Sequence, residues 1–121
     1  MSRLEELNRI LRTLQSGTPD IEASALISDD GLIIASALPQ HIEEIRVAGM
    51  TAVLLSLGQR AASELARGAL DEVIVRGANG YAVMVAAAPS TLLLVVASRD
   101  AKLGLLFLDM GRAVAAIRKV L

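Results

Sequence analysis

The segment from Val47 to Gly58 is apolar or small at nearly every position, with Thr51 and Ser56 as its only hydroxyl side chains. It forms the middle of a predicted helix from about residue 42 to 66. A surface helix carries one apolar stripe, whereas a helix without a polar face is covered on more than one side. A chain of 121 residues has little material with which to surround a helix. We therefore expect this helix to be shared between its own sheet and a partner subunit.

The composition also indicates that the chain needs a partner surface. Apolar residues make up 54% of the chain before its 9 glycines are counted, against about 45–50% with glycine in an ordinary globular protein. This excludes a disordered chain. The length allows one domain, over residues 1–121. The apolar excess requires another surface to bury it.

Charge and aromatic content exclude several partners. The chain has 12 basic and 13 acidic residues without a charged tail, and its only aromatic side chains besides His41 are Tyr81 and Phe107. Nucleic-acid binding would need clustered cations and stacking rings, so we expect none. The longest apolar runs, 81–89 and 92–97, are too short to span a bilayer. We expect a cytoplasmic protein that does not insert into membranes.

Periodicity and turn residues predict the element order α-β-β-α-β-β-β-α. Ser2 and Glu5 have the spacing of a helix cap, Asp29-Asp30-Gly31 predicts a hairpin turn, and Asp100 is a candidate cap for the last helix. The predicted helices cover about 3–15, 42–66 and 102–121, and the predicted strands cover 22–28, 32–37, 70–76, 81–88 and 92–97.

The three later strands differ in character. Strand 70–76 interleaves Asp71, Glu72 and Arg76 with apolar residues, whereas strands 81–88 and 92–97 are apolar on both faces. Charged strands are typical of sheet edges, and strands that are apolar on both faces are covered on both sides. We predict an α+β fold with a five-stranded mixed or antiparallel sheet, in which strand 70–76 lies at an edge.

The residues available for catalysis are few. His41 is the only histidine and has no evident orienting partner, and turn chemistry accounts for Asp29 and Asp30. Residues 77–80 contain two glycines but lack the lysine and the following helix of a phosphate-binding loop. The chain has no cysteine. We therefore predict a non-enzymatic protein without catalytic residues, cofactor or metal.

Three stretches and the order of elements resemble the Roadblock/LC7 family. The stretches are 28–35, 80–85 and 103–105, and the likeness extends from about residue 3 to 120. The resemblance implies a sheet with one long helix on one face and two helices on the other. It also implies a homodimer in which the third strands pair antiparallel and the long helices pack together. Family members bind small Ras-like GTPases or serve as scaffold subunits, and activating members reposition the residues of the GTPase itself.

The resemblance assigns two sets of residues in this sequence. The expected dimer interface consists of Gly49, Met50, Val53, Leu54, Leu57, Val73, Ile74 and Val75. The candidates for contact with the GTPase are Arg46, Gln59, Arg60 and Arg67.

Two other classes remain open on the sequence. Related mixed sheets hold small molecules, so a sensor domain of a signalling system is the main alternative. Ligand pockets usually contain aromatic side chains and converging polar groups, and this chain offers few of either. An enzyme or lyase of unknown type finds no support in the available side chains.

Overall fold

The computed structural model describes residues 1–121 and contains three helices and five strands. The order α-β-β-α-β-β-β-α predicted from the sequence is confirmed. The elements are α1 (Arg3–Gly17), β1 (Ile21–Ser28), β2 (Ile33–Ala37), α2 (Glu44–Glu64), β3 (Val73–Gly77), β4 (Gly80–Ala88), β5 (Thr91–Ser98) and α3 (Leu103–Val120).

The five strands form one wholly antiparallel sheet in the order β2-β1-β5-β4-β3. The apolar strands β4 and β5 lie inside and β3 lies at an edge, as predicted, although Asp71 and Glu72 precede the strand and only Arg76 is charged within it. Helix α2 covers one face of the sheet, and α1 and α3 cover the other. None of the three helices combines the length and the hydropathy needed to span a bilayer.

The sheet separates two apolar cores. The larger one joins α1 and α3 to the sheet and includes Leu11, Leu26 and Ile117. The smaller one joins α2 to the sheet through Ala48 and Leu55, which meet Ile27 and Leu94. Only three residues of the 21-residue α2 are buried. Helix α2 therefore leaves much of its apolar surface exposed.

Local polar contacts hold the two helices on the larger core. The Glu5 N–H donates to Ser2 Oγ at 3.1 Å, which confirms the predicted cap of α1. After α1 ends, Thr18 Oγ1 donates to Asp109 Oδ2 on α3 at 2.7 Å. This bond fixes the C-terminal end of α1 beside α3.

Two local predictions were wrong, namely the start of β3 and the cap of α3. Strand β3 begins at Val73 rather than Leu70, because the side chain of Leu70 packs onto α2 at Gly58 before the chain enters the sheet. A Cβ on Gly58 would lie 2.8 Å from Cγ2 of Val73 and 3.2 Å from Cδ2 of Leu70. Gly58 therefore allows Leu70 and Val73 to approach α2 closely. Asp100 does not cap α3, whose first flanking residue is Lys102.

Gly80 is required where β4 meets β5. Its φ is +146°, and a Cβ there would lie 2.2 Å from the carbonyl oxygen of Ala97. No side chain fits this conformation next to a paired strand. The turn between β3 and β4 consists of Ala78 and Asn79, and Gly77 pairs with Gly80 across it.

Candidate functional site

Strand β3 presents an uncovered edge of the sheet. Gly77 and Gly80 form the hydrogen-bonded pair that closes a two-residue turn, and such pairs alternate along an antiparallel ladder. The N–H and C=O groups of Ile74 and Arg76 therefore point away from β4. Strand β3 pairs with no other strand, and all its residues except Val73 are exposed. This edge is open to pairing with a further strand.

The opposite edge of the sheet is better covered. Strand β2 is half-buried or buried along its length, with Ala35 fully inside. Ser36 Oγ on β2 donates to Glu44 Oε1 at the start of α2 at 2.6 Å. Of the two edge strands, β3 is therefore the more exposed.

Helix α2 carries an exposed apolar stripe above the sheet. Met50, Val53 and Leu57 are 53%, 65% and 57% exposed and lie on one line along the helix. On the same side as α2, Val75 of β3 is 45% exposed. Monomeric soluble proteins rarely expose contiguous apolar patches of this kind, which mark interaction sites. We call Met50, Val53 and Leu57 the apolar stripe.

The two flanks of α2 face different parts of the fold. Gly58 lies against Val73 at the β3 edge, whereas Gly49 lies against the β1–β2 turn. A Cβ on Gly31 in that turn would lie 3.4 Å from Cα of Gly49. The two helix glycines are nine residues apart, which is two and a half turns at about 3.6 residues per turn. They therefore mark opposite flanks, with the apolar stripe between them.

The expected dimer residues consequently divide into two groups. Leu54 and the β3 residues lie on or beside the edge flank, next to the stripe residues Met50, Val53 and Leu57. Gly49 lies on the other flank, beside Gly31 of its own chain. The structure brings the β3 residues and the C-terminal half of α2 together, and it places Gly49 apart from them.

The candidate partner contacts are all exposed. Arg46 lies 3.4 Å from Glu43, and Arg60 lies 3.8 Å from Glu64, so each arginine pairs within its own helix end. Arg46 and Arg60 lie beyond the two ends of the apolar stripe. Gln59 lies off the stripe, and Arg67 follows the end of α2, where its Nε–H donates to the carbonyl of Leu65 at 2.9 Å.

The sheet separates opposite charges. Helices α1 and α3, with the flanking Lys102, carry seven basic and three acidic side chains. Helix α2 and the segments that border it carry three basic and seven acidic side chains. The acidic set is Asp29, Asp30, Glu43, Glu44, Glu64, Asp71 and Glu72, and the basic set is Arg46, Arg60 and Arg67.

A groove of about 700 Å³ lies between α1 and α3. Its floor includes Ile10, Leu14 and Ala113, which are already buried in the larger core. Arg9 and Lys119 stand on its rim. Its polar lining includes Asp109, which is already engaged by Thr18 at 2.7 Å and by Arg112 at 3.8 Å.

Comparison with known proteins agrees with this architecture. The family model described as Roadblock/LC7 domain matches residues 7–97. The chain belongs to the Roadblock/LC7 domain family. Two proteins of Methanocaldococcus jannaschii, both described as uncharacterized, are each 31% identical to it over 112 residues, which is 93% of this chain and 96% of theirs.

Solved structures share the Roadblock/LC7 fold. A Roadblock/LC7 domain from Streptomyces avermitilis superposes with a TM-score of 0.87 at 24% identity, covering 93% of this chain and 94% of that one. MglB of Myxococcus xanthus superposes with a TM-score of 0.89 at 20% identity, covering 99% of this chain and 90% of that one. A further MglB structure, described as having a tetrameric arrangement, has a TM-score of 0.87 at 20% identity, with coverage of 99% and 90%.

Sequence reasoning missed one part of this Roadblock/LC7 surface. The β1–β2 turn with Asp29 and Asp30 lines a second groove against α2, where Gly31, with a φ of +88°, lies against the backbone of Gly49. The residues of this turn were noticed only as turn formers.

Proposed function

We propose that this Roadblock/LC7 domain is a non-enzymatic regulatory or scaffold protein that forms a homodimer and binds a small Ras-like GTPase. One observation carries the proposal: an apolar stripe on α2 lies directly beside the unpaired edge β3. Two copies related by a two-fold axis pair their β3 strands antiparallel and bring the C-terminal halves of their α2 helices together. This arrangement satisfies the free backbone groups of Ile74 and Arg76 and buries Leu57 and Val75.

The proposed dimer interface keeps the residues expected from the family resemblance. It consists of Met50, Val53, Leu54, Leu57, Val73, Ile74 and Val75, with Gly49 at its margin. The pairing joins two five-stranded sheets into one and removes the exposed β3 edges. An edge of this kind, left open and apolar, would otherwise promote aggregation.

The GTPase is proposed to bind across the face built by the two α2 helices. A two-fold dimer presents its shared surface once, at the axis, so one bound GTPase excludes a second and gives a two-to-one complex. Arg46 and Arg60 have stems that can stay on the helix while their charged ends reach a partner. Gln59 and Arg67 are proposed as further contacts at the edge of this face.

The dimer is tested by light scattering on purified protein, which should give close to twice the mass of 12.7 kDa. Leu57→Arg should give monomers or aggregates, because a charge in a desolvated interface has no partner there. The matched control is Ser63→Arg, an exposed position on the other flank of α2, which should leave the dimer intact. A monodisperse wild-type monomer at micromolar concentration would contradict the dimer.

The GTPase is tested with purified Ras-like GTPases encoded in the same genome, each loaded with GDP or a non-hydrolysable GTP analogue. Isothermal titration should show binding of one GTPase per dimer, with an affinity that depends on the nucleotide. Arg46→Glu and Arg60→Glu should weaken the complex mainly through the association rate and in a salt-dependent way. If every GTPase fails to bind in both nucleotide states, the GTPase proposal is wrong.

A further inference from the structure

The free edge of the sheet carries two opposite charges at equal distances from one apolar residue. The backbone groups of Ile74 and Arg76 point away from β4, and the same alternation includes Glu72, which directly precedes the strand. Ile74 lies midway between the acid and the base. Reversing the direction of the strand therefore exchanges the two charges, so the row is complementary to an antiparallel copy of itself.

The side chains of this row share one face of the sheet. Ile74 and Arg76 pair with Val83 and Tyr81, which belong to the larger core or pack against it, so the row lies on the side of α1 and α3. Successive side chains of a strand alternate between its two faces. Glu72 therefore joins the row when β3 is extended by one residue.

Neither charge of the row has an ion-pair partner in its own chain. The ion pairs of the structure lie at the two ends of α2 and within α3. Glu72 and Arg76 are four residues apart, which is about 13 Å in an extended chain, so they cannot pair with each other. The Arg76 guanidinium lies 5.9 Å from the centroid of the Tyr81 ring, which keeps this side chain along the face of the sheet. Both charges are therefore available to a neighbouring chain.

Backbone geometry allows only certain registers between two β3 strands. In an antiparallel ladder, the residues whose N–H and C=O groups point toward the partner stand opposite each other. On the free edge of β3 these residues all have even numbers. An even-numbered residue therefore faces an even-numbered one, and the two-fold axis passes between two copies of the same residue.

The registers differ in what stands opposite Arg76. With Ile74 at the axis, each Arg76 faces the partner's Glu72. With Val75 at the axis, Arg76 faces the partner's Ile74, and with Val73 at the axis it faces an uncharged residue that precedes the strand. With Arg76 itself at the axis, two guanidinium groups stand opposite each other and repel. Among these four registers, the first alone pairs opposite charges, and it does so twice.

We propose that β3 selects a second copy of this chain through Glu72 and Arg76, in the register that places Ile74 opposite the partner's Ile74. Each end of the strand pair then carries one ion pair between the two chains. This inference rests on the homodimer of the proposed function, and it adds the residues that set the register and the choice of partner. A related chain with another order of charges in this row meets unpaired or like charges, so the edge favours an identical copy.

The register is tested with single cysteines, because the chain has none of its own. In the proposed register the two Cα atoms of residue 74 lie about 5.5 Å apart, a separation that a disulfide spans. The two Cα atoms of residue 75 lie about 8 Å apart, which is too far. Under a mild oxidant, Ile74→Cys should form covalent dimers on a non-reducing gel, and Val75→Cys should not. Any other pattern would overturn the proposed register.

The ion pairs are tested by reversing their charges. Glu72→Arg and Arg76→Glu each place like charges at both ends of the strand pair. Each should raise the dissociation constant at least about tenfold at low salt and less at high salt, as measured by sedimentation equilibrium. The double variant Glu72→Arg/Arg76→Glu should recover the wild-type affinity, because it exchanges the charges and keeps them complementary. A double variant as weak as the single variants would overturn the proposal.

The matched controls reverse exposed charges elsewhere. Glu22→Arg on β1 and Arg12→Glu on α1 change the same residue types at exposed positions remote from β3. Both should dimerise like the wild type. If they weaken the dimer as much as the β3 variants do, the effect belongs to the overall charge and the proposal is wrong.

Mixing the two single variants tests the choice of partner. Glu72→Arg carries two cations in the row and Arg76→Glu carries two anions, so each repels its own kind and complements the other. An equimolar mixture should restore dimers that contain one chain of each variant, which native mass spectrometry distinguishes by mass. Mixed and unmixed dimers in statistical proportions would overturn the proposal.

The outcomes separate this inference from the proposed function. A wild-type dimer that withstands both charge reversals leaves the homodimer standing and overturns the inference about its register and partner choice. A monomeric wild type overturns the homodimer and, with it, this inference.

Discussion

At the scale of single residues, backbone conformation at a few positions decides how the elements meet. Ala66 follows α2 with a φ of +56°, and the Arg67 N–H then donates to the carbonyl of Ala62 at 2.7 Å. This is the left-handed ending common at helix C-termini, where glycine is the usual residue. An L-residue with a side chain in this region is disfavoured by about 1–2 kcal/mol.

Ala66→Gly should therefore stabilise the protein. We expect the free energy of unfolding to rise by about 0.5–1 kcal/mol, since relief of strain is partly offset by the greater freedom of glycine in the unfolded chain. Urea denaturation measures this free energy of unfolding. Ala115→Gly, at an exposed position within α3, is the control and should lower the free energy of unfolding by about 1 kcal/mol. A loss of stability in Ala66→Gly would contradict the assigned strain.

Gly80→Ala should have the opposite effect. The added Cβ would meet the carbonyl oxygen of Ala97 at 2.2 Å with φ at +146°. The start of β4 must then move, and we expect a loss of about 3 kcal/mol or more. Gly104→Ala, where a Cβ meets nothing within 4 Å, is the control and should leave the melting temperature unchanged or higher. Equal melting temperatures for Gly80→Ala and Gly104→Ala would contradict the clash with Ala97.

At the scale of elements, the sequence predicted the eight elements and the edge position of β3, because both follow from local periodicity and charge. It did not predict where β3 begins, since Leu70 is held by Gly58 of α2, which is distant in the sequence. The second groove, between the β1–β2 turn and α2, was missed for the same reason: the approach of Gly31 to Gly49 is a tertiary contact. The sequence alone indicated only that α2 lacks a polar face, and the family resemblance assigned Met50, Val53 and Leu57 to an interface.

Substitution by proline can test which side of β3 is free. In Ile74 the N–H points away from β4, so Ile74→Pro should keep the β3–β4 ladder and prevent β3–β3 pairing. Light scattering should then report a monomer with a near-native circular dichroism spectrum. Val75→Pro is the control, because the Val75 N–H bonds to β4 and its loss should lower stability directly. A dimeric Ile74→Pro variant would show that this edge is not the interface.

At the scale of the whole molecule, folding and dimerisation should be linked. A chain that buries its apolar stripe only in the dimer gains stability as the protein concentration rises. We expect the melting temperature to increase by several degrees over a concentration range of about 100-fold, as measured by differential scanning calorimetry. The melting temperature of Ile74→Pro should not depend on concentration. A wild-type melting temperature that is independent of concentration would contradict this linkage.

The charge difference between the two faces of the sheet gives each subunit an electric dipole. A two-fold axis perpendicular to a continuous sheet cancels the in-plane components of the two dipoles and adds the components along the axis. The dimer would therefore have a larger dipole component along this axis than either subunit, with its negative end at the α2 helices. A diffusing partner with a basic surface experiences a torque in this field and turns toward α2 before contact, over distances of about the Debye length, 8 Å in physiological salt.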